Sequence, residues 1–181
     1  MFKCKSFGLG YVALCLAACG TASQSPTSPW TADSPTPLTA SVQQALSGFL
    51  RTKGVVFLNQ GERVALAIPA DTLFTPGTTD FTEDAPALLD GVSLYIRNAL
   101  SHLPAGTPIK IMGFTDQIRT TKVQKRQAQA YADNVGSYLW AHGIKAHQLH
   151  IHGYGSANPI ADNHTPAGAA FNRRVVIMVG P

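Results

Sequence analysis

Cysteine is nearly absent, and what there is sits at one end. The three cysteines of the 181-residue chain are Cys4, Cys15 and Cys19. Everything after Cys19 lacks the residue, which excludes an internal disulfide and thiol catalysis there. Charge is also sparse, at 13% of residues. The formal net charge is +4. Without Lys3 and Lys5 it is 12 basic side chains (14 − 2) against 10 acidic ones, or +2. The basic residues are scattered apart from Lys122, Lys125 and Arg126, so nucleic acid is not an expected partner. Beyond the N-terminus no apolar run approaches the roughly 20 residues of a membrane-spanning helix. No Ser or Thr lies in a nucleophile-elbow pattern. Gly153-Tyr154-Gly155 lacks the rest of a phosphate-binding loop. Asp116 has no carboxylate neighbour in the sequence to share acid–base work. The chain reads as a non-enzyme.

Five of the six histidines, His142, His147, His150, His152 and His164, raise the question of a metal. His150 and His152 alternate on one face of a predicted strand, as two ligands would. No third ligand follows at a diagnostic spacing, so neither a metal nor a cofactor is expected.

The first 18 residues have the layout of a signal peptide. Lys3 and Lys5 supply the positive start, and Phe7 to Ala18 is a short apolar and small-residue stretch. It ends in Leu16-Ala17-Ala18-Cys19, which resembles the bacterial lipobox. That resemblance implies lipid attachment at Cys19 with cleavage just before it. Each buried methylene contributes about 0.8 kcal/mol, so several acyl chains hold a domain on a bilayer almost irreversibly. Gly20 follows, where Asp is the best-known signal for inner-membrane retention; an outer-membrane anchor is therefore expected.

Thr21 to Pro37 is small, polar and proline-rich except for Trp30. It cannot bury enough apolar surface to fold alone and reads as a tether, reaching on the order of 50 Å when extended. Leu38, Val42, Ala45, Leu46, Phe49 and Leu50 then recur at helical spacing. The short helix they predict either packs on the following domain or serves a partner. Residues 19–50 thus form a lipidated N-terminus, tether and amphipathic segment, and residues 51–181 a folded domain.

Within that domain strands alternate with helices. Val55–Leu58 and Val64–Ile68 flank Asn59-Gln60-Gly61 as a hairpin. Pro69 to Thr82 reads as a loop. Thr82 is the expected cap of a helix that starts with Glu83 and Asp84 and carries the stripe Leu88, Leu89, Val92, Tyr95, Ile96, Ala99, Leu100 and Leu103. Pro108–Gly113 is a strand. A second helix spans about Lys122 to His142, with Val123, Ala130, Tyr131, Val135, Tyr138 and Leu139 on one face and Gly143 as its stop. Leu149–Gly153 and Arg174–Val179 complete the strands. This order predicts an α/β sandwich (α+β), a mixed sheet with helices packed on one side.

Gly113-Phe114-Thr115-Asp116, Gly153-Tyr154-Gly155, Asn158-Pro159-Ile160-Ala161-Asp162-Asn163 and Asn172-Arg173-Arg174-Val175 occur in that order. Together they resemble the OmpA C-terminal domain family, over roughly Gly54 to Val179. The resemblance implies binding of the diaminopimelate of peptidoglycan. Its exposed end carries an ammonium and a carboxylate, so the site needs a fixed carboxylate and a fixed guanidinium. Thr115 and Asp116 match the family turn, and Arg173 matches an arginine that supports the site. Other positions depart from the pattern. Phe114 replaces a histidine, Gln124 an asparagine, and Gln127-Ala128 a Leu-Ser pair. Tyr131 stands where the family arginine belongs. Tyrosine is neutral at pH 7 and donates one hydrogen bond. Losing the arginine costs about 2–5 kcal/mol of binding. Arg126 lies on nearly the opposite side of the helix and does not substitute.

Two functions follow as expectations. The first is an outer-membrane-anchored periplasmic lipoprotein that acts as a structural component of an envelope complex. A short tether with a divergent OmpA-like domain resembles the small lipoproteins of type IVB secretion systems. The second is a wall-binding lipoprotein joining the outer membrane to peptidoglycan. Tyr131 is the residue that separates them.

Overall fold

The structure is a computed structural model that describes residues 37–60 and 63–180. The expected signal peptide, lipidated Cys19, Trp30 and the tether up to residue 36 lie outside the described residues, as do Gly61 and Glu62 of the expected hairpin turn.

Five strands form one mixed sheet: β1 (Val56–Gln60), β2 (Arg63–Pro69), β3 (Ile109–Phe114), β4 (Leu149–Gly155) and β5 (Arg174–Val179), in the order β1-β2-β5-β3-β4. The hairpin pairs Gln60 with Arg63, and β5 runs antiparallel to both β2 and β3. Only β3 and β4 are parallel. A parallel pair needs a crossover, and α4 (Thr121–Ala141) supplies it. The other helices are α1 (Ala40–Thr52), the single-turn α2 (Ala70–Leu73), α3 (Ala85–Leu100) and α5 (Pro166–Asn172).

Period-two alternation assigns the faces. Ile109, Ile111, Val175, Ile177 and Val179 are buried against the helices, whereas Lys110, His150, His152 and Tyr154 are exposed on the opposite face. The stripe expected on α3 buries Leu88, Leu89, Val92 and Ile96 completely or nearly so, each contributing about 1.5–3 kcal/mol. On α4 the buried set is Gln124, Ala128, Tyr131, Ala132, Val135, Gly136 and Leu139. Val123 and Ala130, expected in that stripe, are only half-buried. The difference is one of residue size. α4 lies so close to the sheet that small residues, not aliphatic ones, fill much of the seam.

α1 packs its Leu46, Phe49 and Leu50 against Gly91 of α3. The amphipathic segment therefore packs on the domain, as one of its two expected roles required. It continues through Thr52, across the expected boundary at residue 51.

Two local expectations are corrected. The stretch read as a loop from Pro69 to Thr82 contains α2 and a bridge between Phe74 and Phe81. Thr82 does not cap α3. The helix begins at Ala85, with Asp84 as its N-cap and Pro86 in its first turn, and the Thr82 hydroxyl donates instead to the Thr72 carbonyl at 3.0 Å. Proline needs no N–H partner at a helix start, so it sets the boundary without a side-chain cap. Gly143, at φ 92°, ends the α4 segment as expected.

The close approach of α4 depends on two strand glycines. A Cβ at Gly113 would run into the backbone of Ala128, and one at Gly153 into the backbone of Ala128 and Gln129. Backbone cannot step aside as a flexible side chain can. Gly113→Ala is therefore expected to cost about 1–3 kcal/mol, read as a lower midpoint in urea or thermal unfolding. An unchanged midpoint would mean that α4 sits farther from the sheet than described.

Candidate functional site

Three strand ends meet in one row. The register places Pro69 opposite Arg174, and Arg174 opposite Phe114. Two residues beyond Pro69 is Asp71; one before Arg174 is Arg173; two beyond Phe114 is Asp116. Sheet register thus gathers three charged side chains from distant parts of the chain.

Arg173 is the centre of the group. Its Nε donates to Asp71 Oδ1 at 2.9 Å and its Nη2 to Asp71 Oδ2 at 2.6 Å, a two-pronged pair. Its Nη1 donates to Asp116 Oδ2 at 2.7 Å. The hydrogen bonds from Arg173, first to Asp71 and then to Asp116, raise its pKa above the ordinary arginine value against the opposing effect of burial. The Asp116 side chain is 12% exposed and that of Asp71 46%. The inner pair is therefore the less screened by water.

Asp116 also has a local task. Its Oδ1 accepts from the Ile118 N–H at 3.2 Å, the short-range turn bond that Asp forms readily. Asp116 thus bonds its own turn through one oxygen and Arg173 through the other, as the two oxygens of a carboxylate allow. Thr115 beside it donates its N–H to the Gly155 carbonyl at 2.8 Å. Its hydroxyl is buried and has no hydrogen-bond partner among the described residues. Gln124 ties two loops together: its Nε2 donates to the Arg119 carbonyl and its Oε1 accepts from Ser156 Oγ at 2.6 Å.

Tyr131 belongs to the core. Its ring stacks on Phe74 at 4.4 Å between centroids, and Phe74 stacks on Phe81 at 5.2 Å. Gln127 Nε2 donates to the Tyr131 phenol oxygen at 2.7 Å. Burial pushes the phenol pKa up, so the ring stays neutral. The charges of Asp71, Arg173 and Asp116 shift it further, with opposing signs. Two departures from the family pattern, Gln127 and Tyr131, are thus partners of one another.

Arg174 has a structural role. It donates to the Asn172 and Asn158 carbonyls at 3.1 and 3.0 Å. Its guanidinium lies 4.1 Å from the centre of the Phe114 ring, which in turn stacks on Tyr154 at 5.3 Å. Phe114 therefore makes a cation–π layer where the family has a histidine.

The structure brings Asp116 and Arg173 into direct contact; Thr115 adjoins Asp116 in the chain, and Gln124 and Tyr131 both lie on α4 with partners of their own. Asp71 was missed by sequence reasoning. It lies in a stretch read as a loop, and only strand register reveals that it faces Arg173. The five histidines do not converge on a metal site: among the described residues no three His, Cys, Asp or Glu side chains form a group able to hold an ion.

The molecule is a mixed sheet with helices packed on one face and a charged cluster at its strand ends. The chain belongs to the OmpA family, a non-catalytic one; residues 73–173 match it, more than half of the chain. It is 33% identical over 141 residues to the probable lipoprotein YiaD of Escherichia coli, which covers 77% of this chain and 62% of that protein. It is 33% identical over 107 residues to the peptidoglycan-binding protein ArfA of Mycobacterium tuberculosis, which covers 58% of this chain and 33% of ArfA. The periplasmic domain of Helicobacter pylori MotB superposes with a TM-score of 0.61 at 26% identity, covering 70% of this chain and 82% of that one. The chain thus spans less than two thirds of the length of either relative.

Removing the guanidinium would leave two carboxylates facing one another. Arg173→Ala is expected to lower stability by about 1–3 kcal/mol, discounted for the exposed Asp71 partner. Arg173→Lys should recover only part of this, because an ammonium cannot bridge as the planar fork does. Thermal unfolding of both variants checks the order; equal midpoints for lysine and wild type would show that geometry is irrelevant.

Proposed function

We propose that this chain is a periplasmic lipoprotein, anchored to the outer membrane through Cys19, whose domain binds peptidoglycan. The observation that carries the reading is Asp116. It occupies the position of the family's ligand carboxylate, is nearly buried, and is held by Arg173. A carboxylate fixed in this way is prepared to receive a ligand ammonium without reorganising. The printed names of the relatives point the same way, to a lipoprotein and to a peptidoglycan-binding protein. They favour wall binding over the assembly role that headed the sequence reading. Affinity is reduced, because Tyr131 cannot supply the bidentate contact that an arginine gives a carboxylate.

A second reading keeps one observation in its favour. Tyr131 is stacked into the aromatic core, as suits a module retained as a structural part of an envelope complex, of which a type IVB secretion system is one example.

Co-sedimentation of the full chain with purified peptidoglycan tests both. Wild type is expected to pellet, and Asp116→Ala to lose most of that fraction, a loss of about 2–5 kcal/mol in binding. Wild type remaining in the supernatant while Tyr131→Arg pellets would decide for the structural role.

A further inference from the structure

The cluster carries one more negative charge than positive. Asp71 and Asp116 contribute two carboxylates, and the Arg173 guanidinium has its charge shared between both. The fourth member, Tyr131, is neutral. Its oxygen already accepts from Gln127, which leaves its O–H to donate. Thr115 adds a buried hydroxyl with no hydrogen-bond partner among the described residues.

Such a site suits a cation and neutral acceptors. A carboxylate on the ligand would meet a net negative triad whose guanidinium is already bonded to two carboxylates. We infer that this site selects a primary ammonium whose neighbouring group is uncharged, and discriminates against the ammonium–carboxylate pair of free diaminopimelate. The inference rests on the peptidoglycan reading and narrows its ligand. The chemical class is a stem peptide whose third residue ends in an ammonium beside a carboxamide, or in an ammonium alone. Asp71 is the specificity-determining residue, because it turns a balanced Asp–Arg pair into a negative triad. A neutral carbonyl beside the ammonium would take the Tyr131 hydrogen, which a lone ammonium would leave unused.

The test is calorimetric titration of the full chain with three soluble muropeptides that differ only in the third stem residue: diaminopimelate, its side-chain carboxamide, and lysine. The carboxamide and lysine forms are expected to bind about fivefold tighter than the diaminopimelate form, the factor that a partly exposed charge–charge interaction carries. Carboxamide above lysine would support the Tyr131 contact; equal affinity would support ammonium selection alone. Asp71→Asn, which removes one charge, should shrink the preference, and Tyr131→Arg should reverse it. Diaminopimelate binding as tightly as the carboxamide in wild type overturns the proposal and leaves wall binding intact. Failure of all three ligands, with whole peptidoglycan still pelleting the chain, also overturns it by placing recognition elsewhere. Failure of the ligands and of pelleting together removes the peptidoglycan reading as well.

Discussion

The Arg173 fork is the interaction on which this end of the molecule depends. It joins the end of β2 to the end of β3 through the start of β5, and it does so with charge rather than with backbone. A planar guanidinium can face a two-pronged carboxylate on one side and a second acceptor on the other. Lysine has no equivalent geometry. The fork holds Asp116 in place and so presets the orientation of the carboxylate in the absence of ligand.

A second constraint is spacing. Glycines in β3 and β4 let α4 lie against the sheet backbone, and the same helix carries Gln124, Gln127 and Tyr131 to the site. Packing and recognition are therefore coupled through one helix. The aromatic column of Phe81, Phe74 and Tyr131 holds the ring at position 131 in the core. An arginine at 131 would have to leave that column, losing the stack on Phe74 and the burial of the ring. The neutral ring, with Gln127 satisfying its oxygen, avoids that cost and leaves Arg173 as the cation bonded to the two carboxylates.

Much of this was legible from local patterns. The hairpin, the α3 stripe and the terminal strand followed from periodicity, since periods of two and 3.6 are consequences of backbone geometry alone. The expectation for α4 was less complete, because Ala128, Ala132 and Gly136 carry no hydrophobic signal yet make the closest approach. Thr82 and the Pro69–Thr82 stretch were misread because a cap and a single helical turn depend on what the neighbouring chain offers, not on residue type alone.

The sequence by itself determined the alternation of elements, the family turn at Asp116, the Asn172-Arg173-Arg174 run and the neutral residue at position 131. Only the tertiary structure decided that Asp71 lies with them, that Arg173 bonds both carboxylates while Arg174 supports Phe114, and that this hydrogen-bonded triad is net negative. The physical reason is that these facts are properties of register. Residues 71, 116 and 173 lie far apart along the chain, and their meeting is set by which strands pair and where each strand ends.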